Sequence, residues 1–243
     1  MSVVDVLAFS PHPDDAEIGC GGLLLLSARQ GLRTAIIDVT DGEASSRGTP
    51  QIRALEKTQA ASRLQVGQRI SLGLPDTRIG TEPAHEAMIV ASVRNTRPRL
   101  VLAPTAEDRH PDHSAASRLI DRALFLAGVP SVGTGRPHRI QRLLQYSIHQ
   151  PVIPDLVFDV TAVWEARLHA LTSYQSQFFG DGPSTALSDG GFLEVLEARA
   201  RHYGAMINTH FGEPYLSPAP LFVDSPSSLL RSPETTGSYG SYR

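Results

Sequence analysis

Apolar runs of strand length alternate along the chain with longer runs that have helical spacing. The longer runs typically end at Gly or before Pro, which are helix stop signals. The predicted strands are Val3–Phe9, Leu32–Val39, Ile70–Leu74, Leu100–Ala103, Gln141–Ile148 and Leu156–Val160. The predicted helices are Gly22–Gln30, Pro50–Leu64, Glu86–Asn95, Ala115–Ala127, Thr161–Gln177 and Phe192–Asn208. This alternation predicts an α/β fold with a Rossmann-like, mostly parallel sheet that is flanked by helices on both faces.

The pattern changes near residue 225, where the chain becomes rich in Ser, Pro and Gly. We therefore expect one domain over residues 1–224 and a mobile tail over residues 225–243. Hydrophobic residues make up 41% of the 243 residues and charged residues 19%, which is typical of a soluble globular protein. No apolar run is long enough to span a membrane, and the N-terminus lacks a signal-peptide pattern, so we expect a cytoplasmic protein without a membrane partner. The net charge of −3 argues against a nucleic-acid partner, and the single cysteine excludes an internal disulfide.

Two clusters of His and Asp follow two of the predicted strands. Pro11-His12-Pro13-Asp14-Asp15 comes after the first strand, and Glu107-Asp108-Arg109-His110-Pro111-Asp112-His113 comes after the fourth. In open α/β sheets, ligands bind at the carboxyl ends of the strands. Imidazole and carboxylate are ligands that zinc accepts, and adjacent carboxylates need a counter-charge that a divalent cation supplies. The two clusters therefore predict a metal centre that is assembled across the sheet.

The run Gly19-Cys20-Gly21-Gly22 raises the alternative of a dinucleotide-binding turn. That turn requires Gly-x-Gly-x-x-Gly directly after the strand, whereas here the His/Asp loop intervenes and the third spacing fails. Small residues that allow close packing of a helix on the sheet explain the run better. The chain also lacks a Gly-x-Ser-x-Gly motif, so a serine-hydrolase interpretation has no nucleophile.

The motif Pro11–Gly19 together with His110-Pro111-Asp112-His113 resembles the LmbE-like, or PIG-L, family of zinc-dependent N-deacetylases that act on glucosamine-containing substrates. The resemblance spans Val3 to about Pro214. It implies that His12, Asp15 and His113 hold zinc, that Asp14 is the general base, and that His110 stabilises the transition state. Three protein ligands leave an open coordination position, as catalytic zinc requires, and iron(II) accepts the same ligand set. We further expect Asp112 to orient the His110 imidazole and favour its charged form.

Within the family, the stretches Asp41–Thr49, Leu72–Asp76 and Glu107–Arg109 resemble the bacillithiol-biosynthesis branch. That resemblance implies a hydrolase that removes acetyl from N-acetylglucosaminyl-malate and releases glucosaminyl-malate and acetate. Malate carries carboxylates, which arginine binds as a bidentate fork, so we expect Arg53 and Arg109 to contact the substrate. Arg47 is a further candidate. The resemblance also implies a homo-oligomer, either a hexamer or a trimer.

Two alternatives stay open at the level of sequence. The first keeps the chemistry and changes the substrate to another N-acetylglucosamine derivative, such as a chitooligosaccharide or a sugar-thiol conjugate. The second is a metal-containing sugar-binding protein without turnover. The presence of Asp14 and His110 argues against the second alternative, because neither residue is needed merely to hold zinc.

Overall fold

The computed structural model describes residues 2–179, 182–189, 191–222 and 225. Apart from Ser225, the predicted tail over residues 225–243 lies outside the described residues. The strands are β1 Val6–Ser10, β2 Thr34–Asp38, β3 Gln68–Ser71, β4 Leu100–Pro104, β5 Arg142–Tyr146, β6 Leu156–Asp159 and β7 Gly212–Leu216. The helices are α1 Asp15–Arg29, α2 Pro50–Arg63, α3 Pro83–Thr96, α4 Pro111–Ala127, α5 Trp164–Leu171, α6 Gln175–Phe178 and α7 Phe192–Met206.

The strands form one sheet in the order β3-β2-β1-β4-β5-β7-β6. Every pairing from β3 to β5 is parallel, whereas β7 runs antiparallel to both β5 and β6. The sheet confirms the prediction of a Rossmann-like, mostly parallel α/β fold. The direction of winding reverses between β1 and β4, and a crevice opens at such a switch point outside the carboxyl ends of the strands.

Two apolar layers cover the two faces of the sheet. In one layer, α1, α5 and α7 pack against the sheet. The fully buried side chains of this layer include Leu24 of α1, Trp164 of α5 and Tyr215 of β7. The other packs α3 and α4 against the opposite face, around Ile89 and Ile120. The prediction of helices on both faces is therefore confirmed. Burial of strands on both sides explains why their sequences are nearly continuous in apolar residues.

The helices α1 and α4 begin earlier than the sequence predicted, at Asp15 rather than Gly22 and at Pro111 rather than Ala115. The start of α4 has an ordinary physical cause, because proline suits the first helical position and the preceding His110 side chain accepts a hydrogen bond from the backbone N–H of Asp112 at 3.2 Å. The consequence is functional. Residues expected in loops lie in the first turns of two helices, where their position is fixed.

The glycine-rich run lies inside α1, at a kink centred on Cys20, which has φ −142° and ψ 15°. A Cβ atom on Gly19 would collide with the Tyr146 ring, and a Cβ on Gly22 would lie 2.6 Å from a methyl group of Val160. The prediction that these small residues allow close helix–sheet packing is confirmed.

Two features of the C-terminal part differ from the prediction. The single helix predicted over 161–177 is a 3₁₀ turn followed by α5 and α6, with a non-helical break at residues 172–174. The sequence analysis did not predict β7, which contains Gly212 and Pro214, two residues that are rare in strands. The β5 strand pairs with β7 only at Tyr215 and Leu216, so Pro214 lies beyond the end of that pairing.

Candidate metal centre and active site

The predicted site residues converge at the switch point of the sheet. The loop after β1 carries His12 and Asp14, and Asp15 opens α1. The loop after β4 carries His110, and His113 lies in the first turn of α4. Because β1 and β4 are adjacent and parallel, their carboxyl ends bring the two distant clusters to one crevice.

The three predicted metal ligands meet at one carboxylate oxygen. The Oδ2 atom of Asp15 lies 3.2 Å from Nδ1 of His12 and 3.2 Å from Nε2 of His113. His12, His113 and His110 also bring one ring nitrogen each within 4.8 Å of one another. Two imidazoles and a carboxylate in this arrangement fit a divalent cation such as zinc.

The second ring nitrogen of each candidate histidine ligand faces another carboxylate. His12 Nε2 lies 3.0 Å from Oδ1 of Asp76, and His113 Nδ1 lies 3.2 Å from Oδ1 of Asp108. Carboxylates behind ligand imidazoles fix the ring orientation and raise ligand basicity at metal sites. The sequence analysis did not select Asp76, and it placed Asp108 in the second cluster without giving it a role. The strand-end position of Asp76, directly after Leu74-Pro75, was the signal that could have found the first.

The protonation of these groups follows from their mutual contacts. Burial lowers the pKa of His113, but the carboxylates of Asp15 and Asp108 raise it to about 9. Burial also acts against the charged form of Asp15, yet His113 and His12 hold its pKa well below the usual range. A bound cation replaces the imidazole protons, so metal binding at this site releases protons.

Asp14 is buried next to the candidate ligands and adopts a left-handed backbone conformation, with φ 117°. Such a conformation is costly for a residue other than glycine and persists where the surroundings enforce it. Burial raises the pKa of Asp14 to about 7, and the Arg53 guanidinium acts in the opposite direction. A carboxylate with a pKa near 7 suits a general base.

Arg53 reaches this site from α2. Its Nη2 donates to the carbonyl of Pro13 and lies 3.3 Å from Oδ2 of Asp14, while its Nε has no partner among the described residues. Gly42, at φ +67°, lies beneath the guanidinium, and a Cβ there would be 3.1 Å from Cζ of Arg53. The loop after β2 therefore needs glycine at this position to admit the arginine.

His110 lines the crevice, and its Nδ1 accepts the hydrogen bond from the backbone of Asp112 described above. Burial and the neighbouring His113 lower the pKa of His110, so the neutral ring carries its proton on Nε2. The negative charge of Asp112 acts to raise the pKa of His110, as expected, but burial and His113 outweigh it. Within the described residues the Asp112 carboxylate makes no hydrogen bond to the His110 ring, so its role in orienting that ring stays a prediction. That carboxylate accepts the Thr77 N–H at 2.7 Å and lies 3.4 Å from Nε2 of His12, because α4 directs it toward the first cluster.

The other two candidate arginines do not lie in the crevice. Arg109 is exposed and is absent from the crevice lining, so its predicted substrate contact is not supported by its position. Arg47 is buried, and its guanidinium donates to the carbonyls of Ser176, Gly182 and Pro183. It therefore joins the loop after β2 to the segment around α6.

A further histidine, which the sequence analysis did not single out, also lines the crevice. His149 follows β5, and its Nδ1 lies 3.0 Å from Oδ1 of Asp108. Its ring stacks on His113 with 5.1 Å between centroids and an interplanar angle of 8°. Burial raises the pKa of Asp108, but hydrogen bonds from His113 and His149 hold it well below the usual range.

The rest of the lining is mostly neutral. It comprises Gly42, Ala44, Ser45, Thr77, Gln177 and Leu187. Within the described part of the chain, Arg53 is the one guanidinium or ammonium group of the lining. None of the described helices combines the length and the apolar composition needed to cross a membrane.

The chain is similar to several known proteins. A family model described as PIG-L: GlcNAc-PI de-N-acetylase matches residues 7–124. The chain is 31% identical over 192 residues to the diacetylchitobiose deacetylase of Thermococcus kodakarensis, covering 72% of this chain and 71% of that protein. It is 23% identical over 222 residues to a probable N-acetyl-alpha-D-glucosaminyl L-malate deacetylase 2 of Bacillus subtilis, covering 86% of this chain and 94% of that protein. Among solved structures, the conserved protein TT1542 from Thermus thermophilus matches with a TM-score of 0.84 and 37% identity, covering 91% of this chain and 98% of that one.

Proposed function

Because the chain belongs to the PIG-L family of GlcNAc-PI de-N-acetylases, we propose that it is a metal-dependent hydrolase that removes the acetyl group from 2-acetamido sugars. One observation carries the proposal. The Asp15 oxygen lies 3.2 Å from ring nitrogens of both His12 and His113, beside the buried Asp14 carboxylate. This is the combination of a cation site and a separate base that amide hydrolysis needs.

The residues have distinct roles in the proposed reaction. His12, Asp15 and His113 hold the cation, with zinc as the first choice and iron(II) as the second. When bound, the cation supplies a Lewis acid that acidifies water and polarises the amide carbonyl. Asp14 accepts the proton of the attacking water and returns a proton to the departing amine. His110 donates Nε2–H to the carbonyl oxygen as negative charge develops there.

Arg53 favours the ionised form of the proposed base, Asp14. Its guanidinium lies against Asp14 and favours the carboxylate form that accepts a proton. Its Nε is buried and has no hydrogen-bond partner among the described residues. Asp76 and Asp108 orient the rings of His12 and His113 from behind.

The substrate of first choice is an uncharged N-acetylglucosamine glycoside, such as an N-acetylated chitooligosaccharide. Outside the candidate metal centre the lining is neutral except for Arg53, which supports this choice, because two malate carboxylates would have only Arg53 as a guanidinium or ammonium partner among the described residues. The relative at 31% identity is a diacetylchitobiose deacetylase. The sequence analysis instead ranked N-acetylglucosaminyl-malate above a chitooligosaccharide, because it counted Arg109 as a second anion contact.

N-acetylglucosaminyl-malate is the second candidate substrate. Two observations favour it: Arg53 lines the crevice, and a relative that is matched over 94% of its length is a probable deacetylase of that compound. Cytoplasmic location and homo-oligomerisation stay predictions from the sequence.

The test is acetate release from both compounds by the purified protein, with metal analysis of the same sample. We expect activity that a chelator abolishes and that zinc or iron(II) restores, with higher kcat/KM for N,N'-diacetylchitobiose than for the malate glycoside. A protein that retains its metal and releases no acetate from any N-acetylated sugar would instead be a binding protein.

A further inference from the structure

His149 is a polar side chain in the crevice that the proposed reaction does not use. The His149 side chain is 13% exposed, lines the crevice, and stacks on the candidate ligand His113. Its Nε2 makes no hydrogen bond to any other residue in the described part of the chain. A polar atom held at the reacting centre without a protein partner is available to the substrate.

Asp108 determines which hydrogen-bonding role that atom has. Its carboxylate accepts the backbone N–H of His110 at 2.8 Å and that of His149 at 3.3 Å, in addition to the His149 Nδ1 contact. An ionised carboxylate can only accept hydrogen bonds, so Nδ1 of His149 must carry a proton. In the neutral ring, Nε2 is then an acceptor.

The second imidazole of the crevice has the opposite tautomer. His110 accepts a hydrogen bond at Nδ1 and therefore carries its proton on Nε2. Both rings stack on His113, with centroids at 4.6 Å for His110 and 5.1 Å for His149. The crevice thus presents a donor and an acceptor on two rings that stack on the same candidate metal ligand.

We propose that Nε2 of His149 accepts a hydrogen bond from a ring hydroxyl of the 2-acetamido sugar and so selects sugars over simple acetamides. The inference rests on the proposed function. The scissile amide offers its carbonyl oxygen to the His110 donor. A sugar also offers hydroxyl donors near that amide, and a simple acetamide does not. A site built to bind a hydroxyl rejects the analogue that lacks it, because its own polar group is left unpaired.

The experiment compares the wild-type protein with His149→Phe, which keeps a stacking ring and removes the acceptor. His149→Asn is the second variant, because a shorter amide preserves polarity at this position. The matched control is His169→Phe, which replaces an exposed histidine on α5. Each protein is assayed on an N-acetylglucosamine glycoside and on its 3-, 4- and 6-deoxy analogues, and its metal content is measured.

We expect the wild type to lose about tenfold in kcat/KM on one deoxy analogue, as the loss of one neutral hydrogen bond implies. His149→Phe should lose about tenfold on the parent sugar, mainly through KM, and should no longer distinguish that analogue. Metal content and the control variant should match the wild type.

Two results would overturn the inference while leaving the proposed function intact. One is an equal loss by both His149 variants on the parent and on every analogue. The other is a loss of metal by both variants, which would mean that His149 acts only through Asp108 and His113. A wild-type protein inert on the parent sugar would instead overturn the proposed function and this inference with it.

Discussion

Arg53, which lies on α2, donates a hydrogen bond of 3.3 Å to the Asp14 carboxylate in the lining of the crevice. Burial raises the pKa of Asp14 to about 7, and the guanidinium keeps it from rising further. Asp14 must be ionised to accept a proton, so activity should fall as the pH drops through this pKa. The pair links an arginine of the crevice lining to the acidic limb of the pH profile.

We predict that Arg53→Met shifts the acidic limb of kcat/KM upward by about one pH unit, because loss of a nearby opposite charge raises a carboxyl pKa. The limb of kcat/KM reports groups of the free enzyme, so a change in substrate contacts does not move it. Arg53→Lys should shift the limb less than Arg53→Met. Arg109→Met, at an exposed position, is the control and should leave the limb unchanged. An unshifted limb in Arg53→Met would show that Asp14 is not the group that titrates.

Asp14 and its neighbour Asp15 should respond differently to the same substitution. We expect Asp14→Asn to retain metal and to lose about 10²- to 10⁴-fold in kcat, because it removes the general base alone. Asp15→Asn should lose metal, because the Asp15 oxygen contacts both imidazoles. Metal analysis and acetate release on the two variants measure this. Substantial activity in Asp14→Asn would rule out its role as base.

His110 has two roles that one substitution can separate. Its Nδ1 caps α4, and its Nε2–H is the proposed donor to the substrate carbonyl. Asparagine is a good capping residue but does not reach as far as imidazole. We therefore expect His110→Asn to lower kcat by about 10²- to 10³-fold and to keep the free energy of unfolding within about 0.5 kcal/mol of the wild type.

His110→Ala is the matched variant for this prediction. It should lose similar activity and, in addition, about 1 kcal/mol of stability, because the N–H of Asp112 loses its acceptor. Urea unfolding curves and initial rates on the same samples separate the two effects. Equal stability of the two variants would show that the cap contributes nothing.

Much of this site could be predicted because its chemistry is contiguous in sequence. His12, Asp14 and Asp15 lie within one short loop, and His110 and His113 within another, so residue type and strand-end position were sufficient to select them. The fold class followed from the same alternation of apolar runs. These are local signals, and local signals can be identified from a single sequence.

The roles of Asp76 and His149 could not be predicted in this way, because they depend on neighbours from other strands, although the strand-end position of Asp76 marked it as a candidate. Asp108 lies in the second cluster, but its residue type alone gave it no role. Asp76 reaches His12 from the loop after β3, and His149 reaches Asp108 from the loop after β5. Arg109 shows the converse limit of local signals. It adjoins the motif in sequence, yet it is exposed and lies outside the crevice lining. Proximity along the chain does not decide which side of a loop a residue occupies.

The β7 strand, which was not predicted, stabilises the kink in α1. The kink at Cys20 leaves the N–H groups of Gly22 and Leu23 bonded to the Glu213 carboxylate, at 2.8 Å each. Glu213 is buried, and the Tyr215 hydroxyl donates to it at 2.6 Å. The carboxylate of β7 thus replaces helical carbonyls that the kink removes.

We predict that Glu213→Gln lowers the free energy of unfolding by about 2 kcal/mol, because an amide offers one oxygen to the two N–H groups and removes their charged acceptor. The buried Arg167, whose Nε lies 3.6 Å from Glu213, would also lose its counter-charge. Glu197→Gln is the control, since Glu197 forms an exposed pair with Arg201 and should change stability by less than about 0.5 kcal/mol. Chemical denaturation with matched m-values measures both. Equal effects of the two substitutions would mean that the kinked helix does not depend on the carboxylate of β7.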